Sequence, residues 1–142
     1  PGLGTACTCR CGLTKMSEIA YTANTATTGV RVVTWEHVTQ DDTCQAVACP
    51  QYDDKSIQVH GVFGKGGKVV IEGTNEVSGQ ENFVLLHDAR GGTHTLSFVS
   101  ADLRPILGNC YRMRPRGSAG SGVDLTIVLL VATPTSYSNA DL

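Results

Sequence analysis

The sequence predicts an all-β protein, an antiparallel β-sandwich or jelly roll with one short helix and an extended N-terminal arm. Three observations predict it. Val, Ile, Thr and Ser gather in short runs of alternating polarity, the period of a half-buried strand. Turn signals built on Gly, Asn, Asp and Ser separate those runs about every eight to twelve residues, which is sandwich spacing. The composition includes 16 Gly among 142 residues, with many Thr and Val and few of the Lys, Glu and Ala that fill helices. A chain of this length is one domain's worth and buries a core without metals or disulfides.

Residues 1–29, PGLGTACTCRCGLTKMSEIAYTANTATTG, stand apart. They have no sustained period and almost no large apolar side chain, so alone they bury too little to offset their ordering entropy. They read as an extended arm that orders against a partner. Met16 reads as an original start, with 1–15 an extension, and the first residues lack the charged-then-apolar pattern of a signal peptide. Residues 30–133 carry the sandwich, and 134–142 form a polar extended tail.

Within the sandwich, Val30–Trp35 reads as a short strand and Glu36–Asp42 as a polar loop with a helical turn. Thr43–Cys49 is a second short strand or an extended connection, closed by Pro50. Ser56–Phe63 alternates Ile57, Val59 and Phe63 against Ser56, Gln58 and His60. The tip Gly64-Lys65-Gly66-Gly67 followed by the β-branched run Lys68–Gly73 reads as a hairpin, and Phe83–Leu86 extends it into a meander. Arg90-Gly91-Gly92 turns the chain into the strand Thr93–Val99. Ser100 has the character of a helix N-cap, with a short helix ending near Leu107-Gly108 and limited by Pro105 to about two turns. Tyr111–Arg116 is a strand whose Pro115 places it at an edge or a strand end. Gly117–Gly122 is a turn. Val123–Ala132 puts Val123, Leu125, Ile127, Leu129 and Val131 on one face, with Val128 and Leu130 on the other, the mark of a central or covered strand.

Bulk charge and hydropathy set limits on partners. The formal net charge of −2 gives no electrostatic case for nucleic acid, which needs a basic face. The longest apolar run, Ile127–Ala132, is strand-sized and far short of the ~20 residues that span a bilayer. Six cysteines are many for a reducing compartment, so Cys7, Cys9, Cys11, Cys44, Cys49 and Cys110 are disulfide candidates whose pairing the spacing does not choose. Alternate residues of an extended arm lie ~6.5–7 Å apart, so some of Cys7, Cys9 and Cys11 look elsewhere, including to another subunit.

No motif supplies chemistry. GVFGKGGK at 61–68 lacks the Gly-Lys-Ser/Thr that opens the helix of a phosphate loop. His37, His60, His87 and His94 have no ligand-type residue at metal-site spacing, and the Cys-x-Cys-x-Cys run is tighter than zinc sites use. A Gly-x-Ser-x-Gly elbow is absent, and the acidic residues scatter through loops. The expectation is therefore no catalytic, cofactor or metal residue. Arg112, Arg114 and Arg116 share one strand face, where guanidinium forks suit an acidic partner. With Trp35 they are the interface candidates.

Three stretches carry a resemblance: GVFGKGGKVVIEGTNEVSGQENF at 61–83, LHDARGGTHTLSF at 86–98 and CYRMRPRGSAGSGVDLTIVLL at 110–130. The span Ser56–Val131, just over half of the chain, carries them in order and spacing, and resembles the head-decoration (cement) proteins of tailed bacteriophages. That resemblance implies a small β-sandwich on the outer surface of a phage head, a virion protein assembled in the host cytoplasm. It implies the major capsid protein as partner, self-association as a homotrimer, and residues 1–29 as a clamp; the cysteine-rich tip departs from the family pattern. Ile71–Asn75 with Phe83 also resembles discoidin-type carbohydrate-binding sandwiches. This implies the alternative of a glycan-binding or adhesion module, with Trp35, Tyr52 and Tyr111 as its aromatics, or a neck or tail component.

Overall fold

A computed structural model of the protein describes residues 18–50, 52, 54–88 and 94–133. In chain order the strands are β1 (Glu18–Ile19), β2 (Tyr21–Thr27), β3 (Val30–Val38), β4 (Thr43–Cys44), β5 (Val47–Ala48) and β6 (Asp54–Val62). They continue as β7 (Lys65–Thr74), β8 (Val84–Leu85), β9 (Ser97–Phe98), β10 (Asp102–Pro105), β11 (Arg112–Ser121) and β12 (Asp124–Ala132). One sheet follows the order β9-β7-β11-β4-β1, with β5 also on β11 and β8 also on β7. The other runs β10-β6-β12-β3-β2. All pairs are antiparallel except β1 with β4. The protein is an all-β sandwich.

The core lies between the sheets. Leu125, Ile127, Leu129 and Val131 of β12 alternate inward and are buried, as are Val33 and Trp35 of β3 and Ile57 and Val59 of β6. Val69 and Ile71 of β7, Phe98 of β9 and Met113 of β11 meet them from the facing sheet. Each such burial is worth about 1.5–3 kcal/mol over exposure. β12 is flanked on both sides, by β6 and β3, which is why its second face also tolerates Val128 and Leu130.

Four expectations change. The tip after β6 is a corner: β6 and β7 belong to opposite sheets, and the chain crosses between them at Phe63-Gly64. β11 and β12 cross back at Gly122-Val123, and the two crossings touch. Gly64 has φ +62° and a Cβ there would strike the Ser121 carbonyl, while Gly120, at φ +108°, would place a Cβ 2.5 Å from Gly67 Cα. Hairpin tips and such corners both demand glycine, so local sequence does not separate them.

The expected arm also changes. Residues 1–17 lie outside the described residues, as do those of the tail at 134–142, but Glu18–Ile19 pairs with β4 and Tyr21–Thr27 lines β3. Tyr21 packs edge-on against Trp35, with centroids 6.1 Å apart. β2 was obscured because its outward residues are Thr and Asn on a sheet edge.

The expected helix after Ser100 is instead β10, paired to β6 from Asp102↔Val59 to Pro105↔Ser56. Two turns would not recover the cost of helix nucleation, whereas the β6 edge offers a ready ladder and Pro105 sits at the strand's end. Asp102 still serves locally, its Oδ1 accepting from the Leu103 N–H at 2.8 Å.

Finally, β11 is central, not an edge. Pro115 pairs with Ile71 on one side. On its other side the neighbour is broken into β5, opposite Arg112 and Met113, and β4, opposite Arg116. The residue lacking an N–H falls at that break.

Candidate interaction surface

Met113 and Pro115 point into the core, so Arg112, Arg114 and Arg116 stand on the outer face of β11, as their alternation predicts. Glu72 is directly opposite Arg114. One carboxylate serves two guanidiniums: Glu72 Oε1 accepts from Arg114 Nε at 3.2 Å and Oε2 from Arg116 Nε at 2.7 Å. The loop after β7 closes over this pair. Arg112 Nε donates to the Glu76 carbonyl at 2.8 Å and its Nη2 to that of Gly79 at 3.0 Å, while Arg114 Nη1 reaches Gln80 Oε1 at 2.9 Å. The Phe83 ring lies under both, 3.8 Å from Arg114 Cζ and 5.2 Å from Arg112 Cζ. Arg114 and Glu72 are thus buried and spent on the fold, whereas the Arg116 side chain is 40% exposed.

Trp35 is fully buried, and its Nε1 donates to the Gln45 carbonyl at 3.0 Å. It is a core residue, not an interface residue, because it shares the inward face of β3 with Val33 and Tyr21 packs against it. The glycan-binding alternative therefore loses its principal aromatic, and Tyr52 is drawn against the core as well.

Cys7, Cys9 and Cys11 lie outside the described residues. Cys44, Cys49 and Cys110 are free thiols. Burial pushes the Cys44 thiol up to about 12 and the Cys49 thiol up to about 11, and raises that of Cys110. Cys44 and Cys49 face Pro115 and Tyr111 respectively along β11, roughly 13 Å apart by strand rise, which is beyond disulfide reach.

His37 occupies a bulge of β3 at φ 59°, with its Nδ1 3.1 Å from Asp124 Oδ1. Among the described residues no three His, Cys, Asp or Glu side chains are placed to hold a metal ion.

The feature that sequence reasoning missed lies between residues 84 and 107. β8 and β9 lie one after the other along the free side of β7, while β10 edges the opposite sheet. Bridges His87↔Thr95 and Asp88↔Ile106 and the bond from Leu107 N to the His87 carbonyl, 3.0 Å, tie them into one flank. Leu96 and Phe98 turn inward. Val84, Leu85, Val99, Leu103 and Leu107 turn outward, and they make five of the eight large exposed apolar residues among those described. Arg104 holds the flank from beneath, its Cζ 4.5 Å from the Phe98 ring and its Nε 2.8 Å from Asp102 Oδ2. A cavity of about 230 Å³ opens there among Gly73, Val84, Leu86, Leu107 and Cys110. No local signal marks this flank, because its runs are two to four residues long; the first two read as ordinary strand and the third as a short helix.

No protein-family model matches the chain, and no curated protein matches it. Among solved structures it is similar to Cellulomonas parahominis L-ribose isomerase, solved with L-ribose, at 13% identity and a TM-score of 0.40. The match covers 74% of this chain and 50% of the isomerase chain, so this chain spans half the length of that neighbour. A likeness this distant carries no argument about activity.

Proposed function

We propose that this protein acts by binding and not by catalysis, as a decoration protein on the outer surface of a tailed-phage head, where it associates as a trimer. The observation that carries the binding reading is the apolar flank at 84–107. Exposed apolar residues concentrated on one edge mark a surface that another protein covers. The charged groups of β11, by contrast, are engaged within the fold. The phage-head assignment rests on the sequence resemblance carried by residues 61–83, 86–98 and 110–130; the outward residues of the flank fall between those stretches. In this reading the flank meets the major capsid protein or a neighbouring copy, and residues 1–17 supply the clamp. Contacts made only in the finished shell stabilise the assembled form by mass action, and many weak symmetric contacts give avidity.

The test is the copy number of this chain relative to the major shell protein in purified source particles, by quantitative mass spectrometry. A ratio near one to one is the expected result. A handful of copies per particle moves the protein to the neck or tail, and absence from particles overturns the reading.

A further inference from the structure

We propose that Cys49 and Cys110 are a reversible disulfide pair, closed by thiol exchange with a small oxidised disulfide. The placement follows from the ladder. β5 pairs with β11 through Val47↔Met113 and Ala48↔Arg112, and the Cys49 N–H continues the pairing by donating to the Tyr111 carbonyl at 2.9 Å. The Cys49 backbone therefore lies beside the peptide that joins Cys110 to Tyr111. Directly opposed residues of such a ladder have Cα atoms ~4.5–5.5 Å apart, so Cys110, bonded to Cys49's ladder partner Tyr111, is a near neighbour of Cys49, and the linked pair would need a Cα separation of ~4.4–6.8 Å.

Both side chains occupy the same side of the sheet. Cys49 shares the core face of Val47 and Met113 and is buried. Gly73 is opposite Met113, and a Cβ on it would lie 2.6 Å from Cys110 Sγ and 3.0 Å from a Leu86 methyl carbon. The missing side chain of Gly73 is thus the space in which the Cys110 thiol sits, on the core face. Each thiol also feels the Lys55 ammonium, which is buried and held by Asn109 Oδ1 at 2.6 Å and the Tyr52 carbonyl at 2.8 Å. That positive charge favours a thiolate in a place where burial opposes one.

Access orders the steps. Cys110 is half-buried and lines the flank cavity, so its thiolate attacks one sulfur of the small disulfide and releases one small thiolate. The Cys49 thiolate then attacks the Cys110 sulfur of the mixed disulfide and expels the second. Two protein sulfurs are oxidised, the small disulfide is reduced to two thiols, and the two protein protons pass to the released thiolates. The bond would close a loop of about 60 residues and fasten the end of β5 to the start of β11.

The experiment treats the full purified chain with excess oxidised glutathione at mildly alkaline pH, followed by non-reducing peptide mapping. The expected result is a Cys49–Cys110 linked peptide that dithiothreitol removes and that the Cys49→Ser and Cys110→Ser chains lack. A melting temperature raised by roughly 10 °C in the linked protein is expected with it. Cys110 carrying glutathione as the end product, bonding to Cys7, Cys9, Cys11 or Cys44 instead, or remaining a thiol overturns the pair. The wild-type map decides the matter even where a variant folds poorly. The pair stands or falls independently of the attachment reading.

Discussion

At the residue scale, the arginines show how far a sequence speaks. Alternation put Arg112, Arg114 and Arg116 on one face, but Glu72, the partner that Arg114 and Arg116 share, is about 40 residues away, and only the β7–β11 register makes it their neighbour. Glu72→Ala leaves a buried guanidinium without its counterion, so about 3 kcal/mol of stability is expected to go. Arg116→Ala removes the half-exposed side of the same cluster and is expected to cost under about 1 kcal/mol. Urea midpoints of the two variants, at unchanged m-value, measure the difference; equal losses would mean that Glu72 is not shared as the distances say. The cysteines make a second prediction. Their folded pKa values are raised above the ordinary 9.0, so the unfolded chain loses those protons first as pH rises. Stability from the protonated thiols is therefore complete below about pH 9 and lost as pH climbs toward 11–12. A denaturation series from pH 8 upward, about one pH unit per step, should show a falling urea midpoint. Cys44→Ala should start lower and fall less steeply, and a variant with the wild-type slope would remove Cys44 as a cause.

At the scale of elements, runs and turns were legible and their partners were not. Val123–Ala132 was readable as a central or covered strand because both its faces are apolar, and it is the central one, with Leu130 exposed on its outer face. The Gly64–Gly67 tip was readable as a turn, yet the sheet it leads to is decided by what lies opposite, and that information is spread over the whole chain. The helix expected after Ser100 failed for the same reason: a weak local preference met an available β6 edge and lost to it. The glycines of the corner separate two kinds of constraint. Gly64 combines φ +62° with a Cβ blocked by the Ser121 carbonyl, and Gly67 has a Cβ blocked by the Phe63 carbonyl, whereas Gly79 has φ +97° and open space around it. Gly64→Ala and Gly67→Ala are each expected to cost about 3 kcal/mol or more. Gly79→Ala should cost about 1 kcal/mol from backbone strain alone. Thermal melts of the three proteins check the ranking, and a Gly79 variant as damaged as the other two would put the weight on dihedral strain and not on the touching corners.

At the scale of the whole molecule, the proposed attachment and the fold are separable by mutation. Val84 and Leu103 are 63% and 61% exposed, so Val84→Lys with Leu103→Lys should move the melting temperature by only a few degrees, as surface changes do. On the proposed reading the same pair of changes lowers occupancy on shells at least about tenfold, about 1.4 kcal/mol per site, scored by co-sedimentation with undecorated particles. Full occupancy would place the contact on some other face. The position of β12 has a different consequence, one of timing. It is the last described strand to be synthesised, yet it is the middle of its sheet, joined to β6 on one side and β3 on the other, with Ala132 reaching back to Val30. A nascent chain that stops short of Asp124 has both outer pairs of that sheet and nothing to join them. Its apolar faces stay open until the closing strand arrives, so this half of the sandwich assembles after the ribosome has delivered it, and a prematurely ended chain is a sticky one.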